Sequence, residues 1–328
     1  MTRRVVFRAD GNGNIGYGHV VRSLAIASMI NELFDCCFAT VNPPEFFRNE
    51  ISSVCHQLVE LKDPFDDAFL NMIDKEDIIV LDNYYFTTDY QHKIRALGCS
   101  LVCIDDIQDK KYACDLVINH APGLELNRFD ICSYTSIKTG IEYAMLRQPF
   151  LSKRINSNFD KDKSRLFVCF GGADKHNIAF KIVETILGKF PGQYSIDLLA
   201  GASTRIEFEH DELKIHHSLT SNQIVDIMDQ CILAIVPAST ILFEVCSRNV
   251  PAVTGYYVDN QELIYEGFKK AGLIIPYGNF NKLERFDEFF GQINVQNLSD
   301  LKNKLYQVWP DNIKYNYQSL FQQLSQRL

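Results

Sequence analysis

The sequence predicts an α/β protein built from two parallel-sheet halves, and three observations carry that expectation. Short apolar runs alternate with segments of helical spacing along most of the 328 residues. Some of those runs, 77–82 above all, are apolar almost throughout, as parallel strands covered on both faces must be. A glycine turn between a strand and a helix occurs twice, once near residue 11 and again at Gly171 and Gly172.

In the first half, residues 3–7 read as a buried strand. The helix after it is marked by Val20, Leu24, Ala25, Ala27 and Ser28. A strand at 36–40 closes at Asn42-Pro43-Pro44, and a helix starts near Glu45. Strands at 57–61, 77–82, 100–104 and 115–119 follow, with helices at 66–73 and 87–97, the latter stopped by Gly98. Residues 151–164 are polar, lack apolar period and read as the linker between a domain at 1–150 and one at 165–328. The pattern then restarts with a strand at 165–170, the glycine turn and a helix at 177–190. Further strands are expected at 194–199, 214–216, 232–236 and 252–256, and helices at 222–228, 241–248 and 261–271. From Leu298 on, Leu301, Leu305, Val308, Leu320 and Leu324 give terminal helices, assigned to the second domain. Two Rossmann-like halves facing a cleft are the organisation of the glycosyltransferase-B architecture.

Composition narrows the function classes. The chain is 46% hydrophobic and 23% charged with a net charge of −8, which argues against wholesale nucleic-acid binding. No apolar run reaches the roughly 18 residues of a membrane span, and the start does not read as a secretory signal. Ten cysteines without a C-x-x-C pair fit reduced thiols in a cytoplasmic protein. No metal-ligand pattern stands out, so neither a metal nor another cofactor is expected, and a monomer is favoured.

The first glycine turn, Asp10 to Arg22, is the candidate active-site loop. It places four glycines, among them Gly16 and Gly18, between a strand end and a helix start. Such a turn lets a backbone approach a ligand closely, and a helix N-terminus suits an anion. His19 stands at its mouth as a candidate base; capping its helix is the alternative. Arg22 fits either a ligand contact or an ion pair; Asp10 is placed among the substrate-binding residues, where it orients the loop or the imidazole, or merely caps a turn. In the second half, Gly171, Gly172 and Asn177 suit a diphosphate or a plain turn. Ser239 and Thr240 either cap a helix or face a phosphate. Glu244 suits ribose hydroxyls or merely complements the helix dipole. Asn260 and Gln261 suit a sugar or base edge, or form an ordinary helix start.

Taken in order, R-A-D-G-N-G-N-I-G-Y-G-H-V-V-R, L-D-N-Y, I-D-D, C-D-L-V-I-N, G-I-E-Y-A-M-L-R, F-G-G-A-D-x-x-N, S-T-x-x-x-E and D-N-Q resemble one family. It is that of the UDP-sugar hydrolases of pseudaminic acid biosynthesis, with its spore-coat polysaccharide relatives, and the resemblance spans about residues 3 to 272. It implies hydrolysis of UDP-2,4-diacetamido-2,4,6-trideoxy-β-L-altropyranose to UDP and free sugar, water attacking the anomeric carbon with inversion. The family's histidine falls on His19, its tyrosine on Tyr84 and its asparagine on Asn260. The nucleotide would lie against Gly171, Gly172, Ser239, Thr240 and Glu244. Asn83 stands where the family often has histidine, Lys175 where proline is common, and the first loop lacks the usual serines, which leaves the exact sugar open. The rival readings are a glycosyltransferase of the same fold and a non-catalytic nucleotide-sugar-binding protein.

Overall fold

Thirteen strands among the described residues form two wholly parallel sheets. The structure is a computed structural model, and it describes residues 2–12, 16–152, 164–171, 174, 176–201 and 208–326. The chain divides into two units, one running to Gln148 and resuming at Asn312, the other spanning Pro149–Asp311.

The first unit alternates β1 (Arg4–Ala9), α1 (Gly18–Ile30), β2 (Asp35–Val41), α2 (Glu45–Val54), β3 (Gln57–Leu61), α3 (Asp67–Met72), β4 (Ile78–Asp82), α4 (Thr88–Ala96), β5 (Ser100–Ile104), β6 (Leu116–Asn119) and β7 (Ser136–Thr139). Its sheet runs β3-β2-β1-β4-β5-β6-β7. β1, β4 and β5 are almost wholly buried, which is why they read as near-continuous apolar runs. The chain winds one way from β1 to β3 and the other way from β4 on, so strand order reverses between β1 and β4. Ala9 and Asp82, the last residues of those two strands, lie opposite each other in register. A reversal of this kind leaves a crevice beyond the strand ends, where open α/β sheets take their ligands.

The second unit repeats the plan with β8 (Arg165–Cys169), α5 (Ile178–Lys189), β9 (Ser195–Leu199), β10 (Leu213–His216), α6 (Ser221–Met228), β11 (Leu233–Pro237), α7 (Thr240–Ser247), β12 (Ala252–Tyr256), α8 (Glu262–Ala271), β13 (Ile275–Asn279), α9 (Phe286–Phe290) and α10 (Val295–Val308). Its sheet runs β10-β9-β8-β11-β12-β13 and reverses between β8 and β11. The core centres on Leu166, Val168, Ile182, Ile186, Ile235 and Val253, all fully buried.

Three features depart from the sequence reading. β7 and β13 were not expected, and both are edge strands of weak pattern. β7 is the short, half-buried Ser-Ile-Lys-Thr. β13 carries Pro276 and a Gly278 at φ +107, and its register against β12 shifts at Thr254/Gly255. The third departure is a correction to the domain boundary. The last helix, α11 (Ile313–Ser325), belongs to the first unit, not to the 165–328 domain. Its buried Tyr317, Leu320, Phe321 and Leu324 form an apolar face turned to α1, with Phe34 and Phe321 rings 6.1 Å apart. Gln318 donates to the Met29 carbonyl at 3.1 Å, Tyr317 to the Tyr143 carbonyl at 2.7 Å, and Lys314 pairs with Glu32 at 3.0 Å. The expected linker at 151–164 lies almost entirely outside the described residues.

Candidate active site at the first strand reversal

α1 starts at Gly18 and turns His19, Arg22 and Ser23 to the same buried side, as i, i+3 and i+4 positions do. That side faces the end of β4, where Asp82 is fully buried. His19 Nδ1 lies 2.7 Å from Asp82 Oδ1. Arg22 grips the same carboxylate from two nitrogens, Nε to Oδ2 at 2.7 Å and Nη2 to Oδ1 at 2.6 Å, and Ser23 Oγ donates to Oδ2 at 3.2 Å. The remaining guanidinium nitrogen, Nη1, donates to Asp106 Oδ2 at 2.6 Å, just beyond β5. The Tyr84 hydroxyl donates to that oxygen at 3.0 Å, and its ring meets the His19 ring edge-on with centroids 4.6 Å apart. His19, Arg22, Asp82, Asp106 and Tyr84 are therefore one connected cluster.

Electrostatics fixes its protonation. Burial alone would raise the Asp82 carboxyl, but Arg22 and His19 overcome it and hold it at about 2. An ionised carboxylate accepts only, so a hydrogen in the His19–Asp82 contact belongs to Nδ1, and in that neutral tautomer the lone pair lies on Nε2. Burial disfavours the Arg22 charge, yet Asp106 and Asp82 hold its pKa well above the usual value. Buried His120, after β6, is pushed down to about 3 by burial and by Arg22, so it is neutral.

The glycines serve the loop differently. Gly16 sits at φ +80, and a Cβ on Gly16 or Gly18 would meet nothing within 4 Å, so both leave open space beside His19's helix start. Gly16 and Asn12 exchange backbone hydrogen bonds of 2.8 and 3.2 Å, and residues 13–15 lie outside the described residues. Asp10 does not join the cluster. Its carboxylate takes Arg8 at 2.6 and 2.8 Å, Thr40 at 3.1 Å, the Val41 N–H at 2.7 Å and the Tyr85 hydroxyl. Those partners commit it to anchoring the loop. Asp82 and Asp106 were missed as site residues. The signal was present, since Asp82 closes β4, which flanks the reversal, and Asp106 lies just beyond the neighbouring β5.

In the second unit, Gly171, Ser239 and Thr240 follow β8 and β11, the strands either side of its reversal. Gly171 is exposed at φ +77 with nothing within 4 Å of a Cβ; Gly172 lies outside the described residues. Asn177 is left-handed at φ 51 and exposed, while Asp174 caps α5 through Ile178 and Ala179, both at 2.9 Å. Ser239 is the N-cap of α7 but makes no side-chain capping bond. Thr240 opens that helix, and Glu244 is buried one turn on. Asn260 is half-buried after β12. Gln261 is buried with Oε1 accepting from the Tyr257 N–H at 3.0 Å, so it braces the turn. Among the described residues no group of three or more His, Cys, Asp or Glu could hold a metal, and no helix is long and apolar enough to cross a membrane.

Solved structures agree over nearly the whole chain. MurG of Acinetobacter baumannii superposes with a TM-score of 0.64 over 98% of this chain and 99% of its own, at 14% identity. The calicheamicin glycosyltransferase CalG4 gives 0.64 over 100% and 99%, at 10% identity. UGT71G1 of Medicago truncatula, solved in complex with UDP-glucose, gives 0.63 over 99% and 98%, at 11% identity. The chain has the glycosyltransferase-B fold. No family model matches it. By sequence it is similar to the UDP-2,4-diacetamido-2,4,6-trideoxy-β-L-altropyranose hydrolase of Campylobacter jejuni, 23% identical over 84% of this chain and 99% of that one. The spore coat polysaccharide biosynthesis protein SpsG of Bacillus subtilis is 24% identical over 82% of each. An uncharacterized protein of Methanocaldococcus jannaschii is 25% identical over 81% of this chain, and the match spans 58% of that longer protein. On this glycosyltransferase-B scaffold, then, the buried charged cluster occupies one sheet reversal and the open glycine and hydroxyl turns occupy the other.

Proposed function

We propose that the protein is a nucleotide-sugar enzyme that hydrolyses a UDP-linked 2,4-diacetamido-2,4,6-trideoxy sugar to UDP and free sugar, in pseudaminic-acid-type nonulosonate biosynthesis. The observation that carries this reading is the His19–Asp82 pair, 2.7 Å apart, with Nδ1 spent on the carboxylate. Such a pair keeps the imidazole in the tautomer that a general base needs. Similarity to the Campylobacter hydrolase across 84% of the chain supports the substrate class.

In the proposed step His19 Nε2 takes a proton from water as the water oxygen bonds to the anomeric carbon. The bond from that carbon to the β-phosphate oxygen breaks, and UDP leaves with the bonding pair. The sugar is released with inverted configuration and the imidazolium later returns its proton to solvent. Tyr84 and Asn260 hold the sugar or the water, with Gly16 and Gly18 giving the substrate backbone access. Gly171, Gly172, Asn177 and the α7 start at Ser239 and Thr240 hold the diphosphate, Glu244 the ribose, and Gln261 keeps the Asn260 turn in shape. Arg22 acts on the substrate only through the cluster it assembles.

UDP release from UDP-2,4-diacetamido-2,4,6-trideoxy-β-L-altropyranose in ¹⁸O-water tests this, with His19→Ala in parallel. Label in the sugar, none in UDP, and collapse in the variant are expected. The solved structures named above are glycosyltransferases, which favours transfer as the second reading. No release until an acceptor is added would replace hydrolysis by transfer. UDP binding without any turnover would leave a binding protein.

A further inference from the structure

The charges around His19 do not balance until it takes up a proton. Arg22 carries one positive charge and contacts two carboxylates, Asp82 and Asp106. With the imidazole neutral the cluster carries one excess negative charge; with an imidazolium it is neutral. Asp82 alone would not create that excess, because Arg22 already cancels it across two short bonds. Arg22 Nη2 also lies 3.0 Å from His19 Nδ1, so an imidazolium would form against a guanidinium. The charge that offsets this contact is that of Asp106.

Among the described residues no other carboxylate contacts Arg22 or His19. From β6, His120 is neutral, and from α11 the Tyr317 hydroxyl donates to the Tyr143 carbonyl at 2.7 Å. Lys110 binds the Tyr84 carbonyl at 2.6 Å and sits 3.4 Å from Asp109. Asp105 is engaged by the Ile107 and Gln108 N–H groups, Tyr112 and Asn119. Arg8 and Asp10 form their own pair. Asp106 is 4% exposed, and its Oδ1 has no hydrogen-bond partner among the described residues, so its charge is not spread over further donors.

We infer that Asp106 is a positioning residue which, acting through Arg22, supplies the negative charge that lets His19 accept a proton. The inference rests on the reading of His19 as the base. It adds a residue that neither the loop motif nor the His19–Asp82 pair requires. The direction follows from electrostatics: removing a negative charge from a low-dielectric cluster disfavours the imidazolium.

The test does not depend on turnover. The His19 imidazole is titrated by ¹⁵N NMR in the wild type, Asp106→Asn and Asp106→Glu, with Asp106→Ser used if the amide does not fold. We expect the midpoint to fall by about one pH unit in Asp106→Asn and to return toward wild type in Asp106→Glu. A folded Asp106→Asn or Asp106→Ser with an unmoved His19 midpoint overturns the inference. Where UDP release is measurable, the acidic limb of kcat/KM should move down with the midpoint and the plateau fall about threefold to tenfold. A limb that stays in place while the plateau falls would reduce Asp106 to a structural role. A shifted His19 midpoint in a protein that releases no UDP would instead leave this inference standing and defeat hydrolysis.

Discussion

Each unit contains a His–Asp–Arg trio, buried in the first and partly exposed in the second, and their difference separates a candidate site from a brace. In the first, His19 and Arg22 share Asp82 at a helix start and a strand end, beside the sheet reversal. In the second, His216 and Arg165 share Asp197 as diagonal neighbours across β8, β9 and β10, with Arg165 at the start of β8 and not at the end where its glycine turn follows. His216 contacts the carboxylate through Nε2 at 2.7 Å, whereas His19 does so through Nδ1. Arg165 is spent on Asp197 and Gln230, whereas Arg22 reaches on to a second carboxylate. The same residue types thus staple adjacent strands in one place and, in the proposed reaction, poise a proton acceptor in the other. Topology, not composition, makes the distinction.

The largest effect should come from deleting each histidine. His19→Ala is expected to cut UDP release by about 10²-fold or more, and His216→Ala to leave it within about twofold, by steady-state UDP assay. Equal losses would erase the contrast. Next come the two carboxylates. Asp82→Asn leaves Arg22 buried beside a neutral amide and should cost about 3 kcal/mol in urea unfolding. Asp197→Asn, whose Arg165 is partly exposed, should cost about 1 kcal/mol.

Acid unfolding sharpens the comparison further. The folded pKa of Asp82, about 2, lies below the unfolded value, so its contribution is present above about pH 4 and lost as pH falls toward 2. It amounts to about 2 kcal/mol, and the Asp82→Asn stability profile should be flatter by that amount between pH 4 and 2. The smallest effect concerns the other reversal. Gly171→Ala places a Cβ in open space but at φ +77, so about 1 kcal/mol of stability should go. If the turn takes a diphosphate by close approach, calorimetric UDP affinity should also fall several-fold; unchanged affinity would assign Gly171 to the turn alone.

Much of this was legible in the chain. Apolar runs such as Ile78–Asp82 read as central parallel strands, and the glycine turn before Val20 as the opening of a helix beyond a strand. His19 and Tyr84 stood out because they sit at those junctions. Asp82 and Asp106 did not, because an aspartate closing a strand looks the same whether it caps a turn or receives an arginine from another helix. Asp10 shows the converse: its place beside the glycines suggested a ligand contact, and four local partners hold it instead. β13 escaped notice because Pro276 and Gly278 break the strand pattern that a bulged edge tolerates.

By itself, then, the sequence determined the two alternating α/β halves and the position of the glycine turns. These depend on local spacing and backbone freedom, which neighbouring residues encode. The tertiary structure decided that α11 returns to cover α1 and that Arg22 joins Asp82 to Asp106. An amphipathic helix advertises an apolar face without naming what it covers, and an ion pair spanning 84 residues leaves no spacing to read. Both are settled only when β1, β4 and β5 lie side by side.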